Sequence, residues 1–213
     1  MPSGGWYERF RRAWLLWHVY QPEYRFLFDP PPPGEWVAID CETTGLDRDR
    51  DEIIAIGAVR IAGSRVLTSQ RLELLVRPER GPSAASVRVH MLRSRDLAGG
   101  MAPADAVHRL LEFVGPRPLV GYFLEFDVAM IDRELRPYFE LGLPQPKFEV
   151  SSMYYEYKNR QLPVHLQGGE IDLRFRTMMD DLGLPLRPAH NALDDAVMAA
   201  LAFVKLRKLL GRP

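Results

Sequence analysis

The fold is decided by the stretch Ala38-Ile39-Asp40-Cys41-Glu42-Thr43-Thr44-Gly45-Leu46, a short apolar strand that ends in two acids. Residues two apart in a strand point to the same face, so Asp40 and Glu42 project together. The opposite face carries three apolar side chains, those of Val37, Ile39 and Cys41. Two neighbouring carboxylates at the end of an apolar strand repel each other unless a cation neutralises them, and oxygen ligands suit Mg²⁺ or Mn²⁺. The alternative is an exposed strand end with two solvated acids.

The first predicted strand covers residues 36–39, just before the two acids. Hydrophobic periodicity predicts the other strands and helices of the chain. Apolar runs and turn signals predict four further strands, at 52–61, 65–76, 118–122 and 147–150. A 3.6-residue period predicts four helices, at 102–114, 124–141, 173–182 and 191–210. Residues 82–97 are expected to be irregular with one helical turn, and residues 151–169 to include a long loop. Hairpin strands followed by alternating helices and strands predict an α/β fold, a mixed sheet flanked by helices.

Two more acidic positions follow later in the chain. Asp127 lies in the first turn of a predicted helix that follows a strand, a position where an acid also favours the helix dipole without any further role. His190 precedes the last predicted helix, on which Asp195 shares an inward face with the alanines at 199 and 202. Asp194 points about 100° away and is expected to be solvated. Taken alone, this third region is better explained as a helix cap with an ordinary surface histidine.

Taken in order, three motifs resemble the DEDDh family of 3′→5′ exonucleases, which includes polymerase proofreading subunits. They are an Asp-x-Glu-Thr-Thr-Gly strand end, a Phe-Asp at a helix start and a His-x₄-Asp helix, and the resemblance covers about residues 35–210. It implies a ribonuclease H-like fold and two divalent metal ions, Mg²⁺ or Mn²⁺. The implied metal ligands are Asp40, Glu42, Asp127 and Asp195, with His190 as the general base. The implied contacts to the substrate are Thr43, Leu46 and Phe126.

The second motif departs from the family pattern. It usually reads Gly-His-Asn-x-x-Phe-Asp, whereas this chain has Tyr122-Phe123 in place of His-Asn. The metal-binding Asp127 is kept, so the departure bears on substrate preference more than on activity. Tyr122 or Phe123 could stack on a base or simply fill space.

Composition limits the remaining possibilities. The chain has 28 Lys and Arg against 28 Asp and Glu, so it has no global basic field for coating a long polyanion. Its single cysteine, Cys41, excludes an internal disulfide and fits a reducing compartment. No stretch approaches the roughly 20 apolar residues of a membrane helix, so we expect no membrane span and a cytoplasmic location.

The N-terminal region, residues 1–34, is predicted to be an aromatic and basic helix followed by a proline-rich linker at 30–34, with the exonuclease domain at 35–213. Four aromatic residues recur there at helical spacing: Trp6, Phe10, Trp14 and Trp17. This stripe is expected to dock on the main domain. The alternative is a surface for a partner or for anionic lipid.

The expected function is removal of nucleoside 5′-monophosphates from the 3′ ends of single-stranded nucleic acid, DNA in preference to RNA, in proofreading or repair. A second hypothesis within the family is an exonuclease for RNA or short oligonucleotides, which the neutral charge favours. A third hypothesis, of another class, is a non-catalytic subunit that binds a polymerase through residues 1–30.

Overall fold

The strand that carries the two acids lies at the centre of the sheet. The computed structural model describes residues 22–137, 142–187 and 191–212. Within these residues the sheet has the order β3-β2-β1-β4-β5, and its strands are β1 (Glu35–Thr43), β2 (Ile53–Ala62), β3 (Arg65–Leu75), β4 (Leu119–Gly121) and β5 (Lys147–Glu149). Strand β1 pairs antiparallel with β2 and parallel with β4, which confirms the predicted mixed sheet.

Helices cover both faces of this sheet. They are α1 (Ala84–His90), α2 (Ser94–Leu97), α3 (Pro103–Val114), α4 (Leu124–Leu135), α5 (Val150–Gln161), α6 (Phe175–Asp181) and α7 (Ala192–Leu209). Two 3₁₀ helices, Pro22–Phe28 and Val164–Leu166, accompany them. None of the helices in the described part of the chain is both long enough and apolar enough to cross a membrane.

Two hydrophobic clusters, one on each face, follow from the alternation along β1. Val37 and Ile39 pack in the cluster formed with α3 and α4, and Cys41 lies against it. Ala38 packs in the other cluster, with α5, α6 and α7. The predicted division of β1 into two faces is therefore confirmed, and Asp40 and Glu42 extend the second face beyond its apolar part.

Residues 151–169, which were expected to include a long loop, begin instead with a helix, because residues 150–161 form α5. The sequence did not reveal this helix because it buries few residues. These are Val150, Met153 and Tyr154, and all of them lie within its first two turns, so no apolar stripe runs along the whole helix. Residues 82–97 likewise contain two short helices instead of one helical turn. Helix α4 ends at Leu135, and residues 138–141 lie outside the described part of the chain.

The segment just before the prolines packs on the body of the protein. Tyr24, Leu27 and Phe28 are buried in the cluster with α3, and the Tyr24 hydroxyl lies 3.2 Å from Nδ1 of His108. The predicted helix over residues 6–20 lies outside the described residues. The domain boundary at residue 34 and the role of the N-terminal helix stay predictions.

Candidate active site

Three carboxylates meet at the end of β1. Ligand oxygens of Asp40, Glu42 and Asp195 all lie within 4.8 Å of one another, and each of the three residues is partly buried. The first two come from adjacent same-face positions of β1, and the third comes from the first turn of α7. The predicted inward orientation of Asp195 therefore brings it to the pair of acids on the strand.

A glycine on β2 sets the distance between α7 and the sheet. Gly57 is the register partner of Asp40, and a Cβ built on it would lie 2.1 Å from the carbonyl carbon of Ala192. Only a residue without a side chain permits this approach. The helix start is held by Asn191, whose side chain accepts a hydrogen bond of 3.1 Å from the backbone N–H of Asp194. Gly57 and Asn191 together place Asp195 beside Asp40.

Asp127 reaches the same region from the other side of β1. It is 4% exposed, and its Oδ1 accepts a hydrogen bond of 3.1 Å from the backbone N–H of Cys41. Its carboxylate is not one of the three that lie within 4.8 Å of one another. Among the neighbouring carboxylates, Asp127 nevertheless contributes most to the raised pKa of Asp40. All four predicted acidic residues thus lie around the end of β1.

The electrostatics of this cluster are unfavourable for four bare anions. Burial, and then the charges of the other three carboxylates, raise the pKa of Asp40 well above its ordinary value. Burial and the charge of Asp195 raise the pKa of Glu42 from 4.5 to about 7. Burial is also the main reason that the pKa of Asp127 is raised, against the lowering effect of the Cys41 hydrogen bond. A compensating positive charge would relieve all of these shifts.

The donor set fits divalent cations. It consists of carboxylate oxygens, the ligands that hard ions such as Mg²⁺ and Mn²⁺ prefer. Partly buried like charges held this close are costly in the folded protein, and cation binding offsets that cost. The acidic cluster is therefore suited to metal binding by its chemistry as well as by its geometry.

Glu149 is a site residue that the sequence patterns did not reveal. Its carboxylate accepts hydrogen bonds from the backbone N–H groups of Phe123 (3.2 Å) and Leu124 (2.9 Å), at the start of α4. It also accepts from the N–H (3.1 Å) and hydroxyl (2.7 Å) of Ser151 at the start of α5. Its charge contributes to the raised pKa of Asp127. Glu149 therefore fixes the helix that carries Asp127. A helix cap at this residue could be recognised only if α5 had been predicted.

The predicted substrate contacts lie close to the acids in the chain, but nothing in the structure tests their role. Thr43 is buried, and its hydroxyl donates a 2.6 Å hydrogen bond to the carbonyl of Gly45. Leu46 is 85% exposed in the loop after β1. Phe126 is partly buried, with the Arg48 guanidinium 5.9 Å from its ring centre. Their contacts with substrate stay predictions.

The two remaining residues of the third motif have different outcomes. Asp194 is not one of the three clustered carboxylates, and it forms an ion pair of 2.7 Å with Arg187 instead of being merely solvated. His190, the predicted general base, lies outside the described residues, so its role stays a prediction.

Comparisons with known proteins agree with this geometry. The sequence profile of the family RNase_T, described as exonuclease, matches residues 37–203. The DNA polymerase III subunit epsilon of Aquifex aeolicus is 26% identical over 173 residues, which cover 81% of this chain and 80% of that protein. The PolC-type DNA polymerase III of Thermotoga maritima is 28% identical over 93% of this chain, but the match covers 14% of the polymerase.

Solved structures show the same fold. The complex of E. coli exonuclease I with single-stranded DNA superposes with a TM-score of 0.69 at 19% identity, covering 83% of this chain and 41% of exonuclease I. Cell-death related nuclease 4 superposes with a TM-score of 0.66 at 13% identity, covering 83% of this chain and 64% of that nuclease. The match to the family profile over most of the chain and the mixed sheet with its acidic cluster together show that this protein belongs to the RNase_T exonuclease family, the DEDDh exonucleases with a ribonuclease H-like fold.

Proposed function

We propose that this protein is a 3′→5′ exonuclease that hydrolyses the terminal phosphodiester of single-stranded DNA and releases nucleoside 5′-monophosphates. The observation that carries the proposal is the convergence of Asp40, Glu42 and Asp195 within 4.8 Å, with Asp127 beside them. The similarity to an epsilon subunit and to the fold of exonuclease I with single-stranded DNA supports the direction and the substrate.

Asp40, Glu42, Asp127 and Asp195 would hold two divalent ions, Mg²⁺ or Mn²⁺. When bound at such a site, divalent ions supply activation of a water and stabilisation of charge on the scissile phosphate. The fold positions the four ligands from three directions: a strand end, the start of α4 and the start of α7. The hydrogen bond from Cys41 to Asp127 and the close contact at Gly57 keep these elements in place.

His190 would take the proton from the attacking water. Histidine in general has a pKa of about 6.5, which suits proton transfer near neutral pH. His190 directly precedes Asn191, the residue that caps α7, and it stands five residues before Asp195. Thr43 and Leu46, on the strand end and loop after β1, would contact the terminal nucleotide.

An exonuclease that grips a short strand end fits the charge of the chain. Equal numbers of acidic and basic residues give no global attraction for a long polyanion, whereas metal ions bound to an acidic cluster attract a terminal phosphate locally. This feature also favours short oligonucleotides, so RNA and dinucleotides belong in the same assay.

Association with a polymerase through residues 1–30 is a separate proposal. It predicts that removal of residues 1–21, which keeps the buried Tyr24, Leu27 and Phe28 in place, changes the size of a complex and leaves hydrolysis intact.

The test uses 5′-labelled single-stranded DNA and RNA of equal sequence, with Mg²⁺, Mn²⁺ or a chelator. We expect the DNA to shorten by one nucleotide at a time from its 3′ end, only when metal is present, with nucleoside 5′-monophosphates as products. Asp195→Asn should abolish the reaction. Asp194→Asn is the matched control, because the neighbouring acid forms an ion pair with Arg187 away from the cluster. Metal-independent cleavage, or full activity of Asp195→Asn, would contradict the proposal.

A further inference from the structure

An exposed aromatic side chain stands at the start of α4, the helix that carries Asp127, in a strained backbone conformation. Phe123 has φ 57° and ψ 28°, the left-handed region, and its side chain is 69% exposed. Residues other than glycine rarely adopt this conformation, and bulky ones do so least readily. Such strain, when the surrounding structure enforces it, is concentrated at functional sites.

The neighbours of Phe123 hold it in this position. Glu149 accepts its backbone N–H at 3.2 Å, which fixes the peptide. Its ring meets the ring of Tyr122 edge to face at 5.2 Å between centroids, and Tyr122 stacks on Phe175 at 4.5 Å. The Tyr122 hydroxyl donates a 3.0 Å hydrogen bond to the carbonyl of Leu173. Tyr122 and Phe175 thus hold the Phe123 ring from its protein side, while most of that ring remains in solvent.

A cavity of about 570 Å³ opens beside this ring. It lies between the starts of α4 and α5, and its walls include Leu124 and Val128 of α4 and Ser151 of α5. Phe123 is four residues before Asp127 in the chain, about 6 Å along the axis of α4 at 1.5 Å per residue. Glu149 lines the cavity and accepts the N–H of Leu124, in the same first turn of α4 as Asp127, and from this spacing we infer that neighbouring nucleotides of one strand reach both places.

We propose that Phe123 and this cavity form a subsite for one nucleobase of the single strand, upstream of the terminal nucleotide. The proposal rests on the proposed exonuclease function and adds where the strand is gripped beyond its last residue. The terminal nucleotide is assigned to the loop after β1 with Thr43 and Leu46, so the base at Phe123 belongs to a nucleotide further from the 3′ end.

The lining of the cavity favours a base over a phosphate. Lys147 is its cationic side chain, and its ammonium already donates to the carbonyl of Leu143. Glu149 adds a carboxylate that disfavours a phosphate, and Glu125, which forms an ion pair of 3.2 Å with Arg48, keeps acceptor capacity for an exocyclic amino group. A flat exposed ring above an apolar wall suits stacking with any base, which needs no sequence readout.

The chain offers a substitution that removes the ring without adding strain. Gly adopts the left-handed region without strain, so Phe123→Gly removes the ring with no new side chain and is the decisive variant; Phe123→Asn also keeps the backbone conformation and installs the residue of the family pattern. The matched control is Val164→Asn, which removes an 84% exposed apolar side chain beyond the far end of α5. Melting temperatures show whether each variant is folded.

The experiment measures kcat and KM on intact single-stranded DNA and on strands with one abasic residue at the second, third or fourth position from the 3′ end. The p-nitrophenyl ester of thymidine 5′-monophosphate, which lacks upstream bases, is the reference substrate. We expect Phe123→Asn and Phe123→Gly to lower the ratio of kcat/KM on intact DNA to that on the ester by about 5- to 140-fold, mainly through KM, the range for loss of one base–aromatic stack. One abasic position should weaken wild-type binding by a similar factor and leave the variants insensitive.

Three results would overturn the proposal. If both Phe123 variants keep the wild-type ratio and the wild-type abasic profile, the subsite is refuted while the exonuclease function stands. If the wild-type protein hydrolyses neither DNA nor the ester with Mg²⁺ or Mn²⁺, the exonuclease function itself fails, and the subsite fails with it. Val164→Asn should match the wild type throughout. A loss equal to that of Phe123→Asn would show a non-specific surface effect and overturn the proposal.

Discussion

Replacing Glu42 by glutamine should stabilise the metal-free protein. Burial and the charge of Asp195 raise the pKa of Glu42 from 4.5 to about 7, so ionising this carboxyl in the folded state is unfavourable. At about 1.4 kcal/mol per pH unit, the difference corresponds to roughly 3 kcal/mol of folding free energy above pH 7. This is an upper limit, because Glu42 keeps some contact with solvent. Glutamine removes the charge with little change in size.

The sign of the pH dependence follows from the raised pKa. Below pH 4.5 the carboxyl is protonated in both the folded and the unfolded chain, and the substitution has little effect through this group. Between pH 4.5 and about 7 the unfolded chain ionises first, so the wild-type protein loses stability as the pH rises. Glu42→Gln does not share this loss. The gain of the variant should therefore be near zero at pH 4.5 and complete at pH 8.

Urea unfolding in a chelator, at pH 5 and at pH 8, measures this difference. Glu170→Gln, which changes an exposed carboxylate, is the matched control and should have little effect at either pH. Mn²⁺ added at 1,000 times its Kd should reverse the order at pH 8, since at that concentration it stabilises the protein that binds it by about 4.1 kcal/mol. The reasoning is refuted if Glu42→Gln is no more stable than the wild type at pH 8 without metal, or if its gain is equal at both pH values.

Three further substitutions test other parts of the site. Asp40→Ala should abolish turnover and weaken Mn²⁺ binding in calorimetry, and undiminished hydrolysis in Mg²⁺ would contradict its role as a ligand. His190→Ala should lower kcat by about 10²- to 10⁴-fold with Mn²⁺ binding retained, and full activity would remove it as the general base. Gly57→Ala should displace the start of α7, because its Cβ would overlap the backbone of Ala192. A shift of about 1 Å can cost about 10²-fold in rate, so wild-type kcat with an unchanged melting temperature would show that this contact is not required.

Local periodicity predicted the mixed sheet and the orientation of individual acids, whereas the grouping of the four acids followed from the resemblance to the DEDDh family. A period of two residues gave the shared face of Asp40 and Glu42, and the opposite orientation of Val37 and Ile39, because both faces of β1 are covered. A period of 3.6 residues gave the inward position of Asp195 on α7. These patterns are strong signals because each side chain belongs clearly either to the core or to the solvent-facing surface.

The features that were missed depend on contacts between distant segments. Helix α5 buries too few residues to show a helical stripe, and Glu149 acquires its role only when two helix starts meet. Gly57 looks like an ordinary strand glycine until α7 packs on it. The left-handed conformation of Phe123 is imposed by Glu149 and runs against local preference. The positions of residues 1–21 and 188–190 stay outside what the structure describes.

The most direct test of the central claim is a crystal of the protein soaked in Mn²⁺, with diffraction recorded at the manganese absorption edge. Two anomalous peaks in contact with the carboxylates of Asp40, Glu42, Asp127 and Asp195 are the expected result. No peak at the end of β1, or manganese bound only elsewhere on the surface, would contradict the claim that these four acids form a metal-dependent nuclease site.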